Sequence, residues 1–196
     1  MKTNGQKKSP VRLLITALLA LLMLAYPFLI YFGLARFQAR AMALVLLAVV
    51  GLRMALMRGG SMPAGLLAAA GVMGAVCLAV FLMGDQQFFL YYPVLMSLTM
   101  CALFAVTLNR PPSMIERFAR IAEPDLPDQA IGYCRKVTMV WCGFFVANAS
   151  VALWTIRSGD IKLWTLYNGL LSYLIMGLLF AVEYAVRTVF RRRLGV

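Results

Sequence analysis

Residues 110–129, RPPSMIERFARIAEPDLPDQ, are the one long polar interruption in an otherwise apolar chain. They hold four of its seven carboxylates (Glu116, Glu123, Asp125, Asp128) and four of its eight prolines. Pro111-Pro112 cannot continue a preceding helix, because a proline nitrogen has no hydrogen to donate and its ring clashes with the turn before it. Ser113 with Glu116 three residues later reads as a capping box, which starts a short new helix. On that helix Ile115, Phe118 and Ala122 share one face at spacings of three and four, while Glu116, Arg117 and Arg120 point elsewhere. A small amphipathic helix of this kind suits a membrane surface. Asp125 or Asp128 can then cap a second helix that runs on into the next apolar segment.

The flanking sequence says what this segment interrupts. Of 196 residues, 63% are hydrophobic and 13% charged, against roughly 45–50% and about 25% in soluble domains. A water-soluble fold of this size cannot hide so much apolar surface. Crossing about 30 Å of hydrocarbon takes about 20 apolar residues in a helix. Six such spans are expected, near residues 11–34, 41–57, 63–83, 88–108, 137–156 and 163–189. They form one transmembrane domain over residues 1–196, with residues 109–136 as a cytoplasmic insert between helices 4 and 5. The runs are continuously apolar and rich in Leu, Ala and Met, whereas a membrane barrel alternates in pieces of about ten residues. The fold class is all-α, polytopic. The apolar run after the basic start exceeds the 7–15 residues or so of a secretion signal, so it reads as an uncleaved first helix.

Basic residues orient the spans. With both termini in the cytoplasm, fifteen of the nineteen Lys and Arg fall inside, and only Arg36, Arg40, Arg157 and Lys162 fall outside. That split follows the positive-inside rule. The net charge of +12 is therefore mostly topology plus attraction to anionic headgroups, with no nucleic-acid partner required. Aromatics gather at the opposite face, among them Phe89, Tyr91, Trp154, Trp164 and Tyr167, as headgroup anchors or as the lining of an outer groove.

Polar residues inside spans are the candidates for function, because burying them is costly. Glu183 is the only carboxylate within an expected span, and Arg187 one turn later can neutralise it as an i, i+4 pair. Asn148 and Asn168 can bond across helices. In the insert, Glu116, Arg117, Arg120, Asp125 and Asp128 are candidates for docking a cytoplasmic partner. Gly71, Ala75 and Ala79, with Ala70 and Gly74, make a small-residue stripe suited to bundle packing or to a homo-oligomer. The chain has no histidine, which removes the usual general base and histidine-ligated metal or haem. Its four cysteines form no C-x-x-C pair, and it lacks Walker A and G-x-G-x-x-G motifs. No cofactor, metal or catalytic residue is expected, and a stand-alone enzyme is not.

The phrases RPPSMIERFARIAEPDLP, YCRKVTMVWCGFFVANA and LWTLYNGLLSYLIMGLLFAVEYAVR resemble a family of small membrane proteins encoded with aryl-polyene (xanthomonadin-like) pigment biosynthesis in Gram-negative bacteria. The likeness covers residues 100–193 or so. It implies an inner-membrane accessory or scaffold for synthesis, anchoring or export of a polyene lipid. Membrane lipids, that polyene lipid and cytoplasmic biosynthetic enzymes recruited through residues 110–136 would be its partners. Some members carry a ketosynthase label, which this histidine-free chain contradicts. The alternative is a transporter or integral-membrane transferase using Glu183 and Asn168.

Overall fold

The computed structural model describes residues 27–28, 31, 38–56 and 64–194. The expected first span lies outside these apart from Pro27, Phe28 and Tyr31, and the count of six rests on it. The described chain is helical, with no strand among the described residues. Its helices are α1 (Ala39–Leu56), α2 (Ala64–Met83), α3 (Tyr92–Asn109), α4 (Met114–Ala122) and α5 (Asp128–Arg157). After these come α6 (Ile161–Leu166) and α7 (Ser172–Leu194), joined by a π-helical turn at Tyr167–Leu171. Among the described residues, three helical stretches, Gln86–Asn109, Asp128–Arg157 and Ile161–Val189, are long and apolar enough to cross a membrane. The apolar parts of α1 and α2 are shorter, Ala39–Leu52 and Leu67–Met83.

The chain forms two compact units, residues 1–90 and 91–196. In the first, α1 packs on α2. Ala43, Leu46 and Val50 are buried on α1, and Met73, Val76, Cys77 and Val80 on α2, each set at the three-and-four spacing of one helix face. The small-residue stripe looks elsewhere: Gly71 and Ala75 are exposed, and a Cβ added at Gly71 or Gly74 would meet nothing within 4 Å. Leu46 and Val50 against Met73, Val76, Cys77 and Val80 make this helix pair.

In the second unit α3 lies along α5. Aromatic side chains fill the seam: Phe104 meets Phe145 edge-on at 5.2 Å, and Trp141 meets Phe180 of α7 at 4.5 Å between ring centroids. Polar ties fix the register. Asn148 Nδ2 donates to Ser97 Oγ on α3 at 2.9 Å, and the Tyr167 hydroxyl donates to Asn148 Oδ1 at 3.0 Å. One amide thus joins three helical segments. Next to Tyr167, Asn168 Nδ2 donates to Thr155 Oγ1 at 3.3 Å and to the Trp164 carbonyl at 2.9 Å. From this π turn adjacent residues both reach α5. The expected helix-bridging roles of Asn148 and Asn168 are met. Of the aromatics expected as headgroup anchors or as groove lining, Trp164 and Phe89 are buried, whereas Trp154 is exposed.

Packing leaves much apolar surface uncovered. Only 6% of the apolar window in Ile161–Val189 is buried, against 28% in Asp128–Arg157. Such a helix needs hydrocarbon as its solvent. We expect Asn148→Ala to lower stability by about 0.6–2 kcal/mol, read as unfolding by denaturant in mixed micelles. Tyr167→Phe should cost much less in that variant than in the parent, because the two share one bond.

Candidate functional site

The polar segment builds its site by solving a backbone problem. Where the prolines stop α3, the first amides of α4 have no carbonyl one turn back. Side chains supply the acceptors. Thr107 Oγ1 on α3 takes the Met114 N–H at 2.9 Å while donating to the Phe104 carbonyl at 2.6 Å. Thr138 Oγ1 on α5, fully buried, takes the Ile115 N–H at 3.3 Å while donating to the Cys134 carbonyl at 2.8 Å. Glu116 Oε2 takes the Ser113 N–H at 3.3 Å, within the expected capping box. At the end of α3, Arg135 donates to the Leu108 carbonyl at 2.6 Å. So α4 is pinned across the ends of α3 and α5.

Glu116 therefore turns inward and is 5% exposed. Arg120 covers it through Nε at 3.0 Å and Nη2 at 2.8 Å, a fork on one carboxylate oxygen. Arg120 also reaches the Pro124 carbonyl, and Arg117 Nε donates to the Pro112 carbonyl at 2.9 Å. This revises the expectation that Glu116 points away from the buried side of α4. With Glu116 and Ala119 buried, the helix turns Phe118 (54% exposed) and Ile121 (81% exposed) outward. Met114, Arg117, Phe118 and Ile121 form its outer edge at three-and-four spacing. Ile115 is half-buried, and Phe118 shares its inner side while also reaching the outer edge. Of the five docking candidates, Glu116 and Arg120 are committed to each other, while Arg117, Asp125 and Asp128 are exposed.

Beneath α4 lies a cavity of about 220 Å³ between α4, α5 and α7. Ile115, Phe118, Ala119, Trp141 and Phe180 give it apolar walls, and Tyr133, Glu123, Glu183 and Arg187 give it a polar side. The Tyr133 hydroxyl makes long contacts to Glu183, 3.4 Å to its carbonyl and 3.5 Å to Oε1. Glu183 and Arg187 both line the cavity but do not close the expected ion pair, because the carboxylate leans toward α5 and Tyr133.

Glu183 and Asn168 are not brought together. Glu183 meets α5 at Tyr133 and Asn168 meets it at Thr155, roughly 33 Å apart at 1.5 Å per residue. Asn148 belongs to the structural tie with Ser97 and Tyr167. Among the described residues, no group of three or more Cys, Asp or Glu side chains converges as metal donors. The sequence reading missed Tyr133, Trp141 and Phe180 as cavity walls, and Thr107 and Thr138 as acceptors for α4. The threonines carried a faint signal, since a hydroxyl inside an apolar helix needs a partner. Comparison with protein-family models, curated proteins and solved structures finds no match for this chain.

Thr138→Val should leave the Ile115 amide without an acceptor, at a cost of about 1–3 kcal/mol. The readout is hydrogen exchange: residues 114–122 should exchange faster in Thr138→Val and keep their protection in Thr138→Ser.

Proposed function

We propose that the chain is a non-enzymatic accessory protein of the bacterial inner membrane that handles an amphiphilic lipid and recruits soluble enzymes beside it. The observation that carries this reading is the placement of α4: a helix with an apolar outer edge, pinned over a cavity that has greasy walls and one polar side. Six spans with both termini in the cytoplasm put this assembly at the cytoplasmic surface, as the distribution of Lys and Arg favours. There Phe118 and Ile121 rest in the headgroup–acyl boundary. Arg117, Asp125 and Asp128, exposed around α4, form the docking surface. The aryl-polyene resemblance supplies the identity of the lipid, a polyene acyl chain, and of the partners, the enzymes that build it.

The transporter or transferase reading draws no support from the site. Its two residues lie at opposite ends of α5, and only Glu183 faces the cavity. The test is pigment output in a polyene-producing cell, with membrane abundance followed in parallel. Arg117→Glu and Asp125→Lys should each cut pigment several-fold while the protein stays at its normal level. Unchanged pigment in both variants would overturn the docking role.

A further inference from the structure

We propose that the cavity beneath α4 binds a single-chain amphiphile with an oxyanion head, taken in sideways from the membrane past Phe118. This rests on the reading of the chain as a lipid-handling membrane protein and adds the chemical class of the ligand. Size comes first. At about 220 Å³ the cavity is smaller than the roughly 300–1,000 Å³ of a drug-sized pocket. It accepts one chain end and its head, with no room for the paired chains of a phospholipid.

The walls divide by chemistry. Trp141 and Phe180, 4.5 Å apart, offer aromatic faces to a tail, and Phe118 lines the cavity while remaining 54% exposed. Phe180, itself 55% exposed, looks outward from α7 in the same way. A wall open on its outer side to hydrocarbon lets a tail pass without crossing water.

Arg187 selects the head. The neighbouring guanidiniums of Arg117, Arg120 and Arg135 donate to Pro112, to Glu116 and Pro124, and to Leu108. Arg187 lines the cavity with neither an ion pair nor a hydrogen bond among the described residues. Its planar fork matches a carboxylate or a phosphate through two parallel bonds. Glu183, one turn earlier on the same helix, would repel that anion, and its contact with Tyr133 draws it toward α5. The lining also holds a second carboxylate, Glu123, so selection of an anion falls to Arg187 alone.

The experiment uses full-length protein in phosphatidylcholine nanodiscs and three diazirine-tailed probes: palmitate, the matching lysophosphatidate and the matching fatty alcohol. Both anionic probes should label saturably within residues 114–141 and near Phe180, and the stronger of the two identifies the head as carboxylate or phosphate. The alcohol should label weakly. Arg187→Gln should reduce anionic labelling about tenfold, the loss of a charge-assisted bond worth roughly 1.5 kcal/mol, and Glu183→Gln should increase it. Equal labelling by alcohol and acid, insensitivity to Arg187→Gln, or loss of labelling in Glu183→Gln would overturn the head assignment. Non-saturable labelling spread along the outer face of α7 would overturn the site itself. Because labelling is read on purified protein, its absence alongside reduced pigment in the docking variants would sink this inference alone. Normal labelling with unaffected docking variants would sink only the docking role.

Discussion

The structure depends on satisfying the backbone where Pro111 and Pro112 break the chain. Inside a bilayer an unpaired amide costs several kcal/mol, which is why apolar segments fold as uninterrupted helices. At the proline pair that solution stops, and the next helix begins with orphan N–H groups. Thr107, Thr138 and Glu116 take up three of them. Each acceptor belongs to a different helix, so supplying them also locks α4 against α3 and α5. Once Glu116 is drawn inward as an acceptor, Arg120 must follow to neutralise it. The outward edge is then left to Phe118 and Ile121. The cavity, its apolar walls and the exposed edge above it follow from those few bonds.

A second constraint acts on the last helix. Little of its apolar surface is covered by protein, and it is held mainly through the π turn and the aromatic contact at Trp141. Near one end of α5, Tyr167 and Asn168 secure it with hydrogen bonds. Near the other, Tyr133 meets Glu183 only through long contacts. The cavity lies at this second end, where α7 passes α4. Glu183 and Arg187 sit at that end and line the cavity, while Asn168 faces a helix.

Much of this was legible in the residues. Long apolar runs named the helices, Pro111-Pro112 ended α3, and Ser113 with Glu116 began α4. Asp128 to Arg157 reads as one helix because nothing after Pro127 interrupts it. The errors were of rotation and partnership. The outer edge of α4 was read from side-chain polarity, which expects charges outward; an inward Glu116 is apparent only once Arg120 and the Ser113 amide are seen to meet it. The small-residue stripe on α2 suits bundle packing or a homo-oligomer; the α1 contact uses Met73, Val76 and Val80 instead, which among the described residues leaves the stripe to the second of these. Spacing ranks both faces of such a helix alike, because both are apolar. The π turn had no sequence mark, since Tyr167–Leu171 continues a helical pattern without a break. Glu183 and Arg187 were paired by spacing, but Tyr133, fifty residues away, competes for the carboxylate.

The most direct measurement is spin-label accessibility along α4, in a chain whose four native cysteines are replaced and a label is placed at 118, 121 or 125. Labels at 118 and 121 should collide more with oxygen than with a water-soluble nickel chelate, and the label at 125 should show the reverse. Equal, water-like accessibility at all three positions would contradict a helix that lays its apolar edge in the membrane surface.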